Sequence, residues 1–155
     1  MDQVQLMLRA IALSTEAMQH GGGPFGAVVA KDGRIVAEGH NRVTSTKDPT
    51  AHAEVVAIRE ACSVLGSYSL HGCEIYCSCE PCPMCLAAIY WARLDRIYYA
   101  NTRDDAARVG FDDAFLYHEL GREGAERTIP MVRLLGKEAI AAFQAWEEKP
   151  DKIAY

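Results

Sequence analysis

Two short motifs constrain this chain more than anything else in it. They are His52-Ala53-Glu54 and Pro81-Cys82-Pro83-Met84-Cys85, with 29 residues between His52 and Cys82. Asp48-Pro49 and Glu80-Pro81 each put an acid–proline start signal just ahead of a motif. Each motif is therefore predicted in the first turn of a helix, and Pro83 is tolerable only there. Cys82 and Cys85 stand three apart, so on a helix both sulfurs share one face and can grip one ion. A fold that uses both motifs must bring two helix starts together. One imidazole (His52) and two thiolates (Cys82, Cys85) suit Zn²⁺. Three protein ligands leave a fourth tetrahedral position for water, which is the catalytic rather than the closed structural pattern. The positive ends of the two helices favour thiolate over thiol and offer spare N–H groups to an anionic transition state. Glu54, two residues from His52, projects in another direction around the helix and can lean over the ion without ligating it. Partial desolvation raises the pKa of such a carboxylate and suits it to carry a proton from water to a substrate.

The rest of the composition narrows the setting. The chain has 155 residues, 50% apolar and 24% charged, with a net charge of −5. One globular domain over residues 1–155 is the default at this length, and the composition argues against disorder. No stretch approaches the ~20 apolar residues of a membrane span, and the first residues lack a leader pattern. The acidic balance and the absence of a Lys/Arg run argue against a nucleic-acid partner. Six cysteines without a leader point to a reducing, cytoplasmic setting, where clusters read as metal sites before disulfides. Cys62, Cys73 and Cys77 read as small core residues, and Cys79 as a neighbour of the metal. A structural zinc site built from Cys77, Cys79, Cys82 and Cys85 is the rival, and it leaves His52 and Glu54 unexplained.

Along the chain, apolar residues at helical spacing predict a helix over 3–19, ended by Gly21-Gly22-Gly23-Pro24. Residues 27–31 and 34–38 form β-like runs around Asp32-Gly33, a strong hairpin signal. Residues 40–47 read as loop. The first motif helix runs from Asp48 through Leu65 to Gly66, and the second covers 83–93. Strands are predicted at 74–79, 96–100 and 131–135, short helical pieces around Gly110, and a helix at 137–148. Residues 149–155 are a tail without regular signal. This order implies an α/β fold with one mixed sheet and helices on both faces.

GGGPFGAVV, His40-Asn41, TAHAEVVAIREA, SCEPCPMCLAAIYWAR and GFDD resemble the cytidine deaminase superfamily, whose zinc nucleobase enzymes carry the H-x-E…P-C-x-x-C signature. The resemblance is strongest to the small bacterial-type guanine deaminases and runs nearly end to end, through ERTIP at 126–130, FQAW at 143–146 and Tyr155. It implies a three-layer α/β/α sandwich with a central mixed five-stranded sheet and one Zn²⁺ per subunit, held by His52, Cys82 and Cys85. It implies hydrolysis of guanine, a small-molecule purine base, to xanthine and ammonia by a zinc-activated water, with Glu54 as proton shuttle. Carried over residue by residue, Asn41 binds the purine edge, Phe25 and Trp91 flank the ring, and Asp113 and Tyr155 help select guanine. It also implies a homodimer in which the tail, about residues 149–155, crosses to the partner.

Each of these residues has a plainer role open to it. Asn41 can cap its own loop, Phe25 and Trp91 can be core, Asp113 can cap a helix, and Tyr155 can be a frayed end. Two other functions also stay open. One is a zinc deaminase acting on another base, a nucleoside or tRNA adenosine; the other is a non-catalytic zinc module.

Overall fold

The computed structural model describes residues 1–155. They form two compact units, residues 1–113 and 114–155.

In the first unit, α1 (Gln3–Gln19) starts at Asp2, whose side chain accepts from Gln5 N–H while the Gln5 side chain accepts from Asp2 N–H. That reciprocal capping box satisfies two donors left over at the helix start. Strands β1 (Gly26–Lys31) and β2 (Arg34–His40) follow. The turn between them has positive φ at both Asp32 and Gly33, the primed geometry that the Asp-Gly pair predicts. A short helix α2 (Val43–Thr46) comes next, then α3 (Ala53–Leu65), β3 (Glu74–Cys79), α4 (Pro83–Trp91), β4 (Arg96–Asn101) and α5 (Arg103–Arg108). The strands lie in the order β2-β1-β3-β4. β1 runs antiparallel to both its neighbours, and β3 and β4 are parallel, so the sheet is mixed.

Alternation along β1 divides the core in two. Ala27 and Val29 face a cluster with Ala53, Ala57, Ile75 and Ile89, which α3 and α4 cover. Val28 and Ala30 face Leu6, Ala10, Leu13 and Tyr76 beneath α1. Helices therefore cover both faces, as the sequence predicts. Alanines at the contact stripes let helix backbones approach the sheet closely. A Cβ on Gly39 would stand 2.3 Å from Ala53 O, and one on Gly26 the same distance from Ala10 O. Each fully buried Leu or Ile in these clusters contributes roughly 1.5–3 kcal/mol.

The second unit holds α6 (Ala114–Leu120), a single 3₁₀ turn, and α7 (Gly136–Glu148). None of these elements buries a side chain, and Met131, Val132, Leu134, Phe143 and Trp146 are exposed.

Three expectations need correction. The sheet has four strands, because residues 131–135 find no ladder partner within the chain. A strand needs an edge to pair with, and a short apolar run supplies only one side of that pairing. The loop predicted at 40–47 contains α2, nucleated where Asn41 Oδ1 accepts Val43 N–H. Helix α3 begins at Ala53 rather than after Asp48. Asp48 Oδ1 instead accepts from both N–H and Oγ1–H of Thr50, a local turn that competes with helix.

Candidate active site

Helices α3 and α4 start side by side, with His52 and Cys82 as their N-caps. Both residues have extended backbone, and neither side chain caps its own helix. The imidazole and the sulfur are thereby free to turn toward each other. His52 Nδ1 stands 3.5 Å from Cys82 Sγ and 3.4 Å from Cys85 Sγ. A tetrahedral zinc site with Zn–S of about 2.3 Å and Zn–N of about 2.0 Å has an N···S edge of about 3.5 Å. The triad is thus spaced as zinc requires. Cys77 and Cys79 are not among the grouped ligand atoms: Cys77 is sealed in the α3/α4 core, and Cys79 Sγ–H donates to Thr102 O.

Charge within the triad follows from its contacts. Cys82 is held down to about 4, first by the hydrogen bond from the Cys85 thiol and also by that from His52, against the opposing effect of burial. Cys85 keeps the proton of that bond, and burial pushes its thiol further up. The hydrogen bond to Cys82 raises His52 against the effect of its own burial. The negative charge of the group thus sits on the Cys82 sulfur, and ligation displaces the protons that the Cys85 thiol and His52 Nδ1 share with it.

Glu54 lies in the first turn of α3 with 6% exposure. Burial raises its pKa; a hydrogen bond with its own backbone and another with Cys85 oppose the rise. A carboxyl so placed beside the ligand cluster takes up and returns a proton more readily than an exposed one.

Asn41 follows the end of β2 and is 7% exposed. Its Oδ1 accepts from Gly23 N–H at 3.2 Å and from Val43 N–H at 3.1 Å. Oδ1 thus holds the loop, and the donors of the side chain are on Nδ2. Phe25 N–H donates to Gly23 O, and Asn41 N–H donates to Phe25 O, so the same loop sets the Phe25 ring. Phe111 meets that ring edge to face, with centroids 4.9 Å apart. This ring is the Phe of the GFDD motif, and its place beside Gly110 is the signal for it in the sequence. Burial raises the pKa of Asp113, two residues on, and its carboxylate also feels the charge of Cys82.

The structure brings His52, Cys82, Cys85 and Glu54 together and links Asn41 with Phe25. Trp91 closes α4 and lines a groove of about 850 Å³ with Ile58, Cys62 and Tyr68. Tyr155 is exposed in the second unit.

A four-stranded mixed sheet that carries one imidazole and two sulfurs at adjoining helix starts defines a class, the zinc-dependent deaminases. Residues 1–101 match the cytidine and deoxycytidylate deaminase zinc-binding region. The chain belongs to that family. The guanine deaminase of Bacillus subtilis is 53% identical over 156 residues, covering 100% of both chains. Its X-ray structure superposes with a TM-score of 0.97, covering 100% of this chain and 99% of that one. The guanine deaminase of Nitrosomonas europaea is 31% identical with a TM-score of 0.70, over 73% of this chain and 66% of its own. A tRNA-specific adenosine deaminase of Aquifex aeolicus is 42% identical over 91 residues, 59% of this chain and 60% of its own.

Proposed function

We propose that the protein hydrolyses guanine, which reacts with water to give xanthine and ammonia. One observation carries this reading. The likeness to the Bacillus subtilis enzyme runs the whole length of both chains, whereas the likeness to the Aquifex tRNA enzyme covers 59% of this one. The net charge of −5 also disfavours a polyanionic substrate.

The triad His52, Cys82 and Cys85 holds the zinc. When bound, zinc lowers the pKa of a water to about 7 and so supplies a nucleophile at neutral pH. Glu54 takes one proton of the attacking water at its buried carboxylate and passes it to a ring nitrogen of the purine; the second proton, from the hydroxyl added at C2, passes through Glu54 to the amine as the C2–N bond breaks and ammonia leaves. Asn41 contributes donors only, because its Oδ1 is occupied. Guanine presents two adjacent acceptors, O6 and N7, where adenine presents one acceptor and one donor. An amide that offers only hydrogens matches the first edge better than the second. In this reading Phe25, which Phe111 meets edge to face, and Trp91 flank the ring, and Asp113 and Tyr155 help select guanine.

The working unit of this reading is a pair of chains forming one deaminase domain each. Residues 114–155 bury nothing by themselves, and β4 is an edge strand with one paired side. Residues 131–135 of a second copy supply the fifth strand on that edge, and residues 149–155 carry Tyr155 to the second copy's site. The six free cysteines fit a cytoplasmic setting; no helix is long and apolar enough to cross a membrane.

The test is ammonia release from guanine, adenine, cytosine, adenosine and cytidine, with zinc content measured on the same sample. Guanine is expected to lead by a wide margin, with one zinc per chain; a lead for cytosine or a nucleoside overturns the reading. Deleting residues 150–155 should impair guanine turnover more than the thermal midpoint. An unchanged rate contradicts the role of the tail.

A further inference from the structure

The mechanism above leaves unused a close approach between the loop after α1 and the end of β2. A Cβ on Gly22 would stand 2.0 Å from the carbonyl oxygen of Asn41, 3.0 Å from its carbonyl carbon and 3.2 Å from Ala17 O. All three are backbone atoms, so none can swing aside as a side-chain end would. The first distance falls more than an ångström short of ordinary contact, which begins at 3.4 Å. Gly22 is also anchored from behind, since its N–H donates to Ala17 O at 2.8 Å. From this point the chain wraps Asn41. Gly23 N–H reaches Oδ1, and Phe25 O receives the Asn41 N–H at 3.0 Å. Thr44 Oγ1–H ties the loop at Gly21 O.

We propose that Gly22 is a positioning residue for purine recognition: its missing side chain lets two backbones touch and so fixes where the Asn41 amide hydrogens point. The proposal rests on the reading of Asn41 as the group that meets the O6/N7 edge. Gly22 touches no substrate and acts only through Asn41. A Cβ there forces the Asn41 backbone away and with it the amide hydrogens that meet the purine edge, and hydrogen bonds that depend on their distance and angle weaken. The zinc triad and Glu54 sit on α3 and α4, so the damage falls on binding rather than on proton transfer.

The experiment is steady-state kinetics on the full-length zinc enzyme for wild type, Gly22→Ala, Asn41→Ala and the double variant. Competitive inhibition by 2-aminopurine, which keeps the C2 amine and lacks O6, is measured alongside. Gly22→Ala is expected to raise KM for guanine about tenfold or more, with a smaller change in kcat and unchanged zinc content. The advantage of guanine over 2-aminopurine should shrink. Asn41→Ala should do the same, and Gly22→Ala should add little on top of it. If Asn41→Ala leaves KM and that advantage intact, the reading of Asn41 is wrong and the proposal goes with it. If Asn41→Ala has its effect while Gly22→Ala has none, or adds its full effect in the double variant, the role of Gly22 alone is overturned. Should Gly22→Ala fail to fold, Thr44→Val loosens the same loop at Gly21. A rise in KM with kcat and zinc unchanged supports the proposal, and an unchanged KM overturns it.

Discussion

His52 and Cys82 hold the same station on two different helices. Each is an N-cap in extended backbone whose side chain leaves its own helix uncapped, and Nδ1 and Sγ meet at 3.5 Å. An N-cap side chain ordinarily contributes about 1 kcal/mol by accepting from N2 or N3. Here that stabilisation is forgone at both helix starts, and the two side chains serve a metal together with Cys85.

Glu54→Gln keeps the size of the side chain and removes its ability to ionise. Zinc content should stay at one per chain while the rate on guanine falls at least about 10²-fold, the usual contribution of a general acid–base. A near-normal rate would take Glu54 out of proton transfer.

Replacing Cys77 and Cys79 by alanine together should leave the zinc in place. Neither belongs to the ligand group, and Cys77 is fully buried. The cost falls on packing, about 1–3 kcal/mol in unfolding free energy. Stoichiometric loss of zinc would instead favour the four-cysteine structural site.

Gly39→Ala places a methyl 2.3 Å from Ala53 O and 2.6 Å from Ala57 N, at the start of the helix that follows His52. With backbone on both sides, the strain should reach about 3 kcal/mol and lower the thermal midpoint by about 10 °C. Zinc affinity should fall with it, because α3 can no longer seat against β2. An unchanged midpoint would contradict the close approach.

Arg9 grips Glu38 through two bonds, Nε to Oε1 at 2.7 Å and Nη2 to Oε2 at 2.8 Å, and so joins α1 to β2. The hydrogen bonds from Arg9 lower the Glu38 pKa from its ordinary 4.5. A carboxylate depressed in the folded state stabilises above its unfolded pKa and loses that contribution as the pH falls through the folded value. Glu38→Gln should therefore cost roughly 1 kcal/mol at pH 7, a modest figure because both side chains are partly solvated. The gap from wild type should close in acid. Denaturant melts from neutral to strongly acidic pH test this, and a gap that stays constant across the range refutes it.

What the sequence shows of this site is its chemistry, and what it hides is its contacts. Cys82 and Cys85 are recognisable by spacing, because three residues on a helix always share a face. The meeting of His52 with them follows from the need for a third ligand. Asn41 is recognisable as a polar residue in a loop, but the occupation of Oδ1 by Gly23 and Val43 depends on two backbones converging, which leaves no periodic trace. The Phe25–Phe111 pair is hidden for the same reason. Asp48 misleads because the turn it forms with Thr50 uses the residue type that also starts helices. The strand predicted at 131–135 shows the opposite failure: its apolar run, Met131-Val132-Arg133-Leu134-Leu135, is real, and pairing is a property of two segments, not one.

The placement of the two tryptophans has a practical consequence. Trp91 is 63% exposed in the first unit and Trp146 is 44% exposed in the second, while the one large aromatic ring that is buried is Tyr76. Each unit therefore carries its own fluorophore near solvent. Substituting either indole by phenylalanine leaves an emission signal that reports on one half of the chain alone, so the order in which the halves unfold can be followed optically without any added label.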